Sequence, residues 1–293
     1  MEQGGTVTLP DGRKLGYLIV GEGKPVFYFH GIPGSRLDLH FQKGISSKGL
    51  QIIGVDRPGF GLSTFTSDRK VSNFATDISF LADHLGINRF ALLGVSGGGH
   101  FVITCAALLK ERVTRAVVIS GASCPIDTAG MLRMNKWGFR LVPIPIIGEW
   151  LEKQSRDIFL KLTRDPDAFM ASKQGKKMLK DLPEDQVRLF QNTELRYAFC
   201  RTLVETYRQG PNSIKALVQE VKLMKKGWEV DLSQIPTGLV YLWHGTADTN
   251  VPVSNAYKNA KDILGAHLEI FEGGGHTIIF DHTEKLVEIL GSS

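Results

Sequence analysis

Cysteine is scarce in this chain of 293 residues, which contains only three: Cys105, Cys124 and Cys200. An odd number with no regular spacing fits neither a disulfide scaffold nor a cysteine metal site. We therefore expect free thiols in a reducing compartment, which favours a cytoplasmic location, and we expect no bound metal.

Long apolar runs and basic blocks are also lacking. No segment approaches the roughly 20 apolar residues that span a bilayer, and the opening Met-Glu-Gln-Gly-Gly-Thr lacks the basic and then apolar layout of a secretory signal. The formal charge is +5, but lysine and arginine are interspersed with acidic residues, and the densest basic run, residues 173–180, is typical of a solvated helix face. We expect no transmembrane segment and no nucleic-acid partner, while the oligomeric state stays open.

Nucleotide-binding signatures are missing as well. The glycines of residues 94–99 do not match the Gly-x-Gly-x-x-Gly pattern, and the chain has no phosphate-loop lysine–serine pair. The sequence therefore predicts chemistry without a cofactor.

The apolar residues that are present indicate the fold class. Short β-rich runs alternate with longer amphipathic stretches, a rhythm typical of a largely parallel sheet with crossover helices. The turn Pro10-Asp11-Gly12 joins the first two runs into an antiparallel edge. The predicted strands cover residues 6–9, 14–20, 26–30, 52–56, 90–95, 116–120, 239–243 and 268–271, and a final helix covers residues 283–290.

The rhythm breaks in the middle of the chain, where a mostly helix-like stretch is divided by prolines. We predict that residues 124–235 form a helical cap inserted into an α/β core made of residues 1–123 and 236–293. An independent helical domain is the alternative, and it is less favoured because strand and helix signals resume afterwards.

The most informative segment is Gly94-Val95-Ser96-Gly97-Gly98, which lies where an apolar strand gives way to a helix. A Gly-x-Ser-x-Gly turn forces its serine into a strained backbone conformation and lifts the hydroxyl out of the sheet. The alternative is a tight turn in which Ser96 only caps the helix.

A serine hydroxyl needs a base to become a nucleophile, and the base needs an acid that fixes its tautomer. We predict His276 as the base, because it follows the last strand in a glycine-rich loop, and Asp248 as the acid, because it follows the preceding strand. Asp127, after the strand that ends at Ser120, is the rival acid. For the oxyanion hole we predict the main-chain N–H groups of Ile32 and Gly97.

These motifs together resemble the α/β-hydrolase superfamily: His-Gly-x-Pro-Gly at residues 30–34, Asp-Arg-Pro-Gly-Phe-Gly-Leu-Ser at residues 56–63, the Ser96 turn, Asp248 and His276. The resemblance spans the whole predicted sheet. It implies an α/β fold with a mostly parallel eight-stranded sheet, flanking helices and an inserted helical cap. It also implies that residues 56–63 are a structural turn.

Within that superfamily an aspartate nucleophile accompanies dehalogenase and epoxide-hydrolase chemistry, whereas Ser96 suits an acyl-enzyme. We therefore predict a carboxylesterase-like hydrolase acting on a small to medium, partly apolar small-molecule ester. The apolar run of residues 141–147, with Trp137, Phe139 and Trp150, either lines an acyl pocket or packs the cap onto the core. The alternatives are C–C bond hydrolysis, lactonase, aminopeptidase or perhydrolase activity, and a non-catalytic small-molecule receptor on the same fold.

Overall fold

The computed structural model describes residues 2–42 and 48–292 and contains one mostly parallel sheet of eight strands. The strands lie side by side in the order β1-β2-β4-β3-β5-β6-β7-β8. Their bounds are β1 Glu2–Thr8, β2 Lys14–Val20, β3 Lys24–Phe29, β4 Leu50–Val55, β5 Phe90–Val95, β6 Val113–Ile119, β7 Val240–Gly245 and β8 His267–Phe271.

The predicted fold class and the antiparallel edge are confirmed. β2 pairs antiparallel with both β1 and β4, while the other neighbours are parallel. The predicted start of the first strand at residue 6 is wrong, because pairing begins at Glu2. A Cβ on Gly4 would lie 2.7 Å from the Tyr17 carbonyl oxygen, so this strand uses glycine for close backbone approach, which side-chain patterning does not reveal.

Helices flank and interrupt this sheet. They are α1 Val71–His84, α2 Gly98–Leu108, α3 Arg133–Leu141, α4 Ile147–Arg164, α5 Pro166–Ala171, α6 Lys173–Asp181, α7 Glu184–Gln191, α8 Thr193–Thr206, α9 Pro211–Lys225, α10 Ser254–Asp262 and α11 Thr283–Gly291, with 3-10 turns at Arg36–Gln42, Leu232–Gln234 and Ile278–Phe280. No helix in these described ranges is long and apolar enough to cross a bilayer.

Helices cover both faces of the sheet, which explains why the central strands are apolar throughout. On one face, Phe74 of α1 and Phe101 of α2 pack edge to face, with ring centroids 5.2 Å apart. On the other face, Leu286 and Leu290 of α11 join Trp243 of β7 in a second core cluster. The central strands of the sheet are therefore covered on both faces.

Seven helices, α3 to α9, lie between β6 and β7, and we call the stretch that contains them the helical insertion. Leu162, Leu203 and Leu217 belong to a core of its own, which also includes Phe60 from the loop after β4. Because Phe60 follows the carboxyl end of a parallel strand, the insertion packs against the strand-end side of the sheet, where open α/β sheets place ligand sites.

Candidate active site

Ser96 follows the last residue of β5 and has the strained φ of +55° that the Gly-x-Ser-x-Gly pattern predicts. Its N–H donates to the Ile119 carbonyl at 2.9 Å, which ties the turn to β6. A Cβ on Gly98 would lie 2.1 Å from the Phe29 carbonyl oxygen, and one on Gly94 would lie 2.6 Å from Val102. The turn therefore has no room for side chains at these two positions.

His276 and Asp248 lie together beyond the ends of β8 and β7. The Nδ1 atom of His276 lies 2.8 Å from Asp248 Oδ2, and since an ionised carboxylate only accepts, Nδ1 donates and Nε2 is left free to act as a base. The other carboxylate oxygen of Asp248 accepts from the N–H groups of Asn250 and Val251, both at 2.9 Å. Asp248 is thus fixed in the orientation that a tautomer-setting acid needs.

His244 contributes to the same cluster in a supporting role. Its Nε2 lies 2.7 Å from the Val251 carbonyl oxygen and 3.3 Å from Asp248 Oδ2. A carbonyl only accepts, so Nε2 carries the hydrogen. His244 therefore braces the loop that holds Asp248.

The electrostatics of the pair favour an ionised acid beside a more basic histidine. Burial alone would raise the pKa of Asp248, but His276 and the hydrogen bond from His244 outweigh it and lower that pKa well below its usual range. Burial alone would lower the pKa of His276, but Asp248, with a smaller contribution from Asp185, outweighs it and raises that pKa. His276 is held ready to accept a proton.

The loop that carries His276 is fastened from two sides. Ser120 donates through Oγ to the His276 carbonyl at 3.0 Å. Asp185, from α7 of the helical insertion, accepts from the N–H of Thr277 at 2.9 Å and from its hydroxyl at 3.0 Å. The insertion therefore helps to position the histidine.

Ile32 and Gly97, the predicted oxyanion residues, lie next to each other. A Cβ added to Gly97 would meet the Ile32 side chain at 2.6 Å, and both residues line the cavity described below. Neither main-chain N–H is used by any other residue that the structure describes. Both donors are therefore available to a ligand.

Arg57 holds the loop that carries Ile32. The guanidinium donates to the carbonyl oxygens of His30 and of Gly31, the latter at 3.1 Å, and Arg57 is fully buried. His30 accepts from the Arg57 N–H through Nε2 and donates through Nδ1 to the Gly31 carbonyl. The turn at residues 56–63 is thus bonded directly to the loop that carries Ile32.

Buried Glu220 of α9 completes this arrangement. It accepts from Arg57 Nε with both oxygens at 3.1 Å, and it pairs with Arg69. The ion cluster links the helical insertion to the turn that holds the Ile32 loop.

Ser96 and His276 both open onto one cavity of about 260 Å³ between the sheet and the helical insertion. Its lining is mainly apolar, with Glu152 as its single carboxylate. Burial raises the pKa of Glu152 to about 7. The lining residues are Ile32, Pro33, Ser96, Gly97, Ala122, Ile126, Asn135, Gly138, Phe139, Val142, Glu152, Ser155, Phe159, Tyr207, Leu217, Val221, Met224, Asn250, Val251 and His276.

Asp127, the rival acid, lies apart from this pair. Its carboxylate accepts from the Ala129 N–H at 2.8 Å, its N–H donates to Asn255, and hydrogen bonds from Ala129 and Ser254 lower its pKa. It caps a turn at the start of the helical insertion, while the His276 ring bonds to Asp248.

The two expectations for the apolar run of the insertion are both wrong for most of its residues. Phe139 and Val142 line the cavity, but Trp137 and Trp150 are exposed, and so are Ile144, Ile146 and Ile147. Most of the run is therefore surface, and only Phe139 and Val142 form part of the cavity wall.

Sequence reasoning missed two supporting acids, Asp185 and Glu220, and it did not predict that Arg57 of the structural turn bonds to the loop that carries Ile32. The acids lie in helices of ordinary charged composition, and their partners are 92 and 163 positions away in the chain. No local pattern marks such contacts. Among the described residues, no group of three histidine, cysteine or acidic side chains is arranged to hold a metal ion, and all three cysteines are free and buried.

Comparison with known proteins identifies the fold family. The family model for the alpha/beta hydrolase fold matches residues 24–283. A 2-hydroxy-6-oxononadienedioate/2-hydroxy-6-oxononatrienedioate hydrolase of Burkholderia vietnamiensis is 27% identical over 259 residues, which is 86% of this chain and 80% of that protein.

Two solved structures share the fold at low sequence identity. An alpha/beta hydrolase fold protein from Nakamurella multipartita has a TM-score of 0.70 and 21% identity, with 98% of this chain and 99% of that one covered. A thermophilic esterase from Thermogutta terrifontis has a TM-score of 0.64 and 17% identity, with 99% and 97% covered. Since the family model covers most of the sequence, the chain belongs to the α/β-hydrolase fold family, and it is a hydrolase of that fold.

Proposed function

We propose that this hydrolase cleaves carboxylic esters of small to medium, partly apolar substrates through an acyl-enzyme. The observation that carries the proposal is the hydrogen-bonded His276–Asp248 pair, which opens onto the same cavity as the strained Ser96. The roles follow from the chemistry of these groups, with Ser96 as nucleophile, His276 as base and Asp248 as the acid that orients it.

The reaction has two halves. His276 Nε2 takes the proton of Ser96 as Oγ bonds to the ester carbonyl carbon, and the N–H groups of Ile32 and Gly97 stabilise the oxyanion. The intermediate collapses, the bond to the alcohol oxygen breaks, and that oxygen leaves with the proton from His276. Water then attacks the acyl-enzyme by the same route and releases the acid.

The cavity lining supports a substrate without negative charge. The lining residues that the structure describes include no lysine or arginine, while Glu152 contributes a carboxyl group. A volume of about 260 Å³ and walls such as Phe139, Phe159 and Leu217 suit a compact apolar acyl or alcohol group. Residues 124–235 would act as the cap that sets this preference.

C–C bond hydrolysis is the second candidate, because the Burkholderia relative is named as a hydrolase of dienedioates. A dioate carries two carboxylates, and a site for it needs cationic partners. The lining described here offers none, and Glu152 would repel such a substrate once its carboxyl group is ionised. Ester hydrolysis is therefore favoured.

The proposal is tested by comparing wild type with Ser96→Ala on p-nitrophenyl esters of increasing chain length. We expect turnover to fall by several orders of magnitude, and Asp248→Asn to lose on the order of 10⁴-fold if it behaves as in serine proteases. Full turnover by Ser96→Ala would refute the role of Ser96. Labelling of Ser96 by a fluorophosphonate without turnover of any ester would instead favour a receptor.

The remaining proposals concern the substrate, the need for a cofactor and the cellular location. The substrate is a small-molecule ester and no bound cofactor is required, since every step above uses side chains and main-chain N–H groups of this chain. Three unpaired buried thiols support a cytoplasmic location.

A further inference from the structure

Six large apolar side chains are exposed on α3, on the start of α4 and on the loop between these helices. We call this set the insertion tip, and its members are Met134, Trp137, Ile144, Ile146, Ile147 and Trp150. Ile146 is 82% exposed and Met134 75% exposed. A cluster of this size within 17 consecutive positions is more than scattered surface hydrophobics, and such patches mark interaction sites.

Helix α3 separates the insertion tip from the cavity. Asn135, Gly138, Phe139 and the following Val142 are spaced as one helical face, and all four line the cavity that contains Ser96. Trp137 lies on the opposite face and is exposed. The helix thus has the candidate active site on one side and Trp137 of the insertion tip on the other.

Helix α3 is also strongly basic. It contains Arg133, Lys136 and Arg140 and no acidic residue. Arg133 lies four positions before Trp137 and Arg140 three positions after it, so both flank the indole on the exposed face, and the Arg140 guanidinium lies 5.6 Å from its ring centroid. On α4, the acid Glu149 is followed one turn later by Lys153.

The loop between the two helices presents the apolar residues rigidly. The N–H of Gly148 donates to the Ile144 carbonyl at 2.8 Å, and a Cβ on Gly148 would lie 1.8 Å from the Val142 carbonyl oxygen. The start of α4 is therefore held tightly against the end of α3, with Ile146 projecting into solvent between them.

We propose that the insertion tip docks on the surface of an anionic lipid bilayer. Tryptophan and isoleucine side chains would enter the region between headgroups and acyl chains, while Arg133 and Arg140 would pair with anionic headgroups. A second copy of the chain fits less well, because a symmetric contact through this surface would bring two sets of α3 cations together. The charge of α3 therefore favours lipid over self-association.

If the protein docks in this way, a consequence follows for its substrate. This consequence rests on the proposed esterase function. Because α3 also forms a wall of the cavity, a docked protein holds that cavity next to the bilayer. The ester would then be an amphipathic molecule that partitions into the membrane.

The test is sedimentation with vesicles made either of phosphatidylcholine alone or of phosphatidylcholine and phosphatidylglycerol in a ratio of about two to one. We expect wild type to bind the anionic vesicles and to bind them less as salt rises. The double variants Trp137→Ser/Ile146→Ser and Arg133→Glu/Arg140→Glu should each lower the partition coefficient about tenfold or more.

Matched controls are exposed residues of the α/β part of the chain, outside the helical insertion. Leu264, 79% exposed, gives Leu264→Ser, and the exposed cations Arg89 and Lys261 give Arg89→Glu/Lys261→Glu. These should bind within about twofold of wild type, since distant sites act independently. Thermal melting by circular dichroism checks that each variant is folded.

The outcomes are distinct from those of the esterase assay. Absence of binding to anionic vesicles, equal losses in the control variants, or a wild-type dimer that insertion-tip substitutions convert to monomers would overturn the proposal. Ser96→Ala should bind vesicles like wild type while it loses turnover. Vesicle binding can therefore be interpreted even if the proposed esterase function is wrong.

Discussion

Asp185 shows how a carboxylate outside the proposed catalytic residues acts on one of them, His276. It accepts two hydrogen bonds from Thr277, the neighbour of His276, and its charge adds to that of Asp248 in raising the pKa of the imidazole. His276 must be neutral to accept a proton, so activity falls as pH drops through this raised pKa.

Replacing Asp185 with asparagine should therefore shift the acidic limb of the profile of kcat/KM against pH to lower values. Asparagine removes the charge that favours the protonated imidazole while it can still accept from Thr277. The control is Glu184→Gln, which changes an exposed acid at the adjacent position. An unmoved limb, or a shift to higher pH, would show that Asp185 does not act on His276 through its charge.

Glu152 should make substrate binding, and therefore KM, depend on pH. Burial raises the pKa of Glu152 to about 7, so the cavity gains a negative charge as pH rises through neutrality. Tyr207 and His276 are the other ionisable residues in the described lining. Glu152→Gln should lower KM for an apolar neutral ester above that pKa and have little effect below it.

The measurement for Glu152 is the ratio of variant to wild-type KM across the pH range, because the titration of His276 is common to both proteins and cancels. Glu149→Gln, an exposed acid one turn earlier in α4, is the control. A KM ratio that does not change with pH would show that the charge of Glu152 does not affect substrate binding.

For single residues, the sequence predicts the candidate catalytic residues that follow strands, but it does not predict the residues that position them. Ser96 stands in a recognisable turn, and Asp248 and His276 each follow an apolar run, so chain position alone places them at one edge of the sheet. Asp185 and Glu220 have no such marker, since each becomes important through a contact formed only when the helical insertion packs on the core.

Among the elements, α9 and the loop after β4 are joined by an ion cluster rather than by apolar packing alone. Glu220 of α9 is 1% exposed and faces Arg57 and Arg69, and the two arginines pull its pKa down although burial raises it. Removing the acid would leave two buried cations without their partner, which costs far more than the pair itself contributes.

Glu220→Gln should therefore lower the free energy of unfolding by about 3 kcal/mol or more. Urea denaturation measures this, with Lys222→Ala, an exposed position of the same helix, as a control expected to stay within about 0.5 kcal/mol of wild type. A Glu220→Gln protein as stable as wild type would mean that the cluster does not stabilise the contact between the helical insertion and the loop that carries Ile32.

Elements differ in how well the sequence predicts them. The central strands are buried on both faces and form continuous apolar runs, so β3 to β7 are predicted within a few residues, and the half-buried edge strand β8 is predicted as closely. The glycine-rich start of β1 has no side-chain pattern and is missed. The helices of the insertion carry apolar side chains on faces that turn to the cavity, to their own core or to solvent, and composition does not distinguish these three surroundings.

For the whole molecule, the sheet carries the candidate catalytic residues and a helical insertion closes over them. The family match and the sheet order establish a hydrolase of the α/β fold. The cavity lies between the two parts, so its size and polarity depend on the insertion, whose outer surface bears the exposed insertion tip.

The acyl-enzyme is the central claim, and mass spectrometry of the protein mixed rapidly with p-nitrophenyl butyrate tests it most directly. We expect one butyryl group on the peptide that contains Ser96, formed as a burst of nitrophenol and then lost to water, and no adduct in Ser96→Ala. Steady hydrolysis with no adduct on Ser96, or an adduct on another residue that turns over at the rate of catalysis, would contradict it.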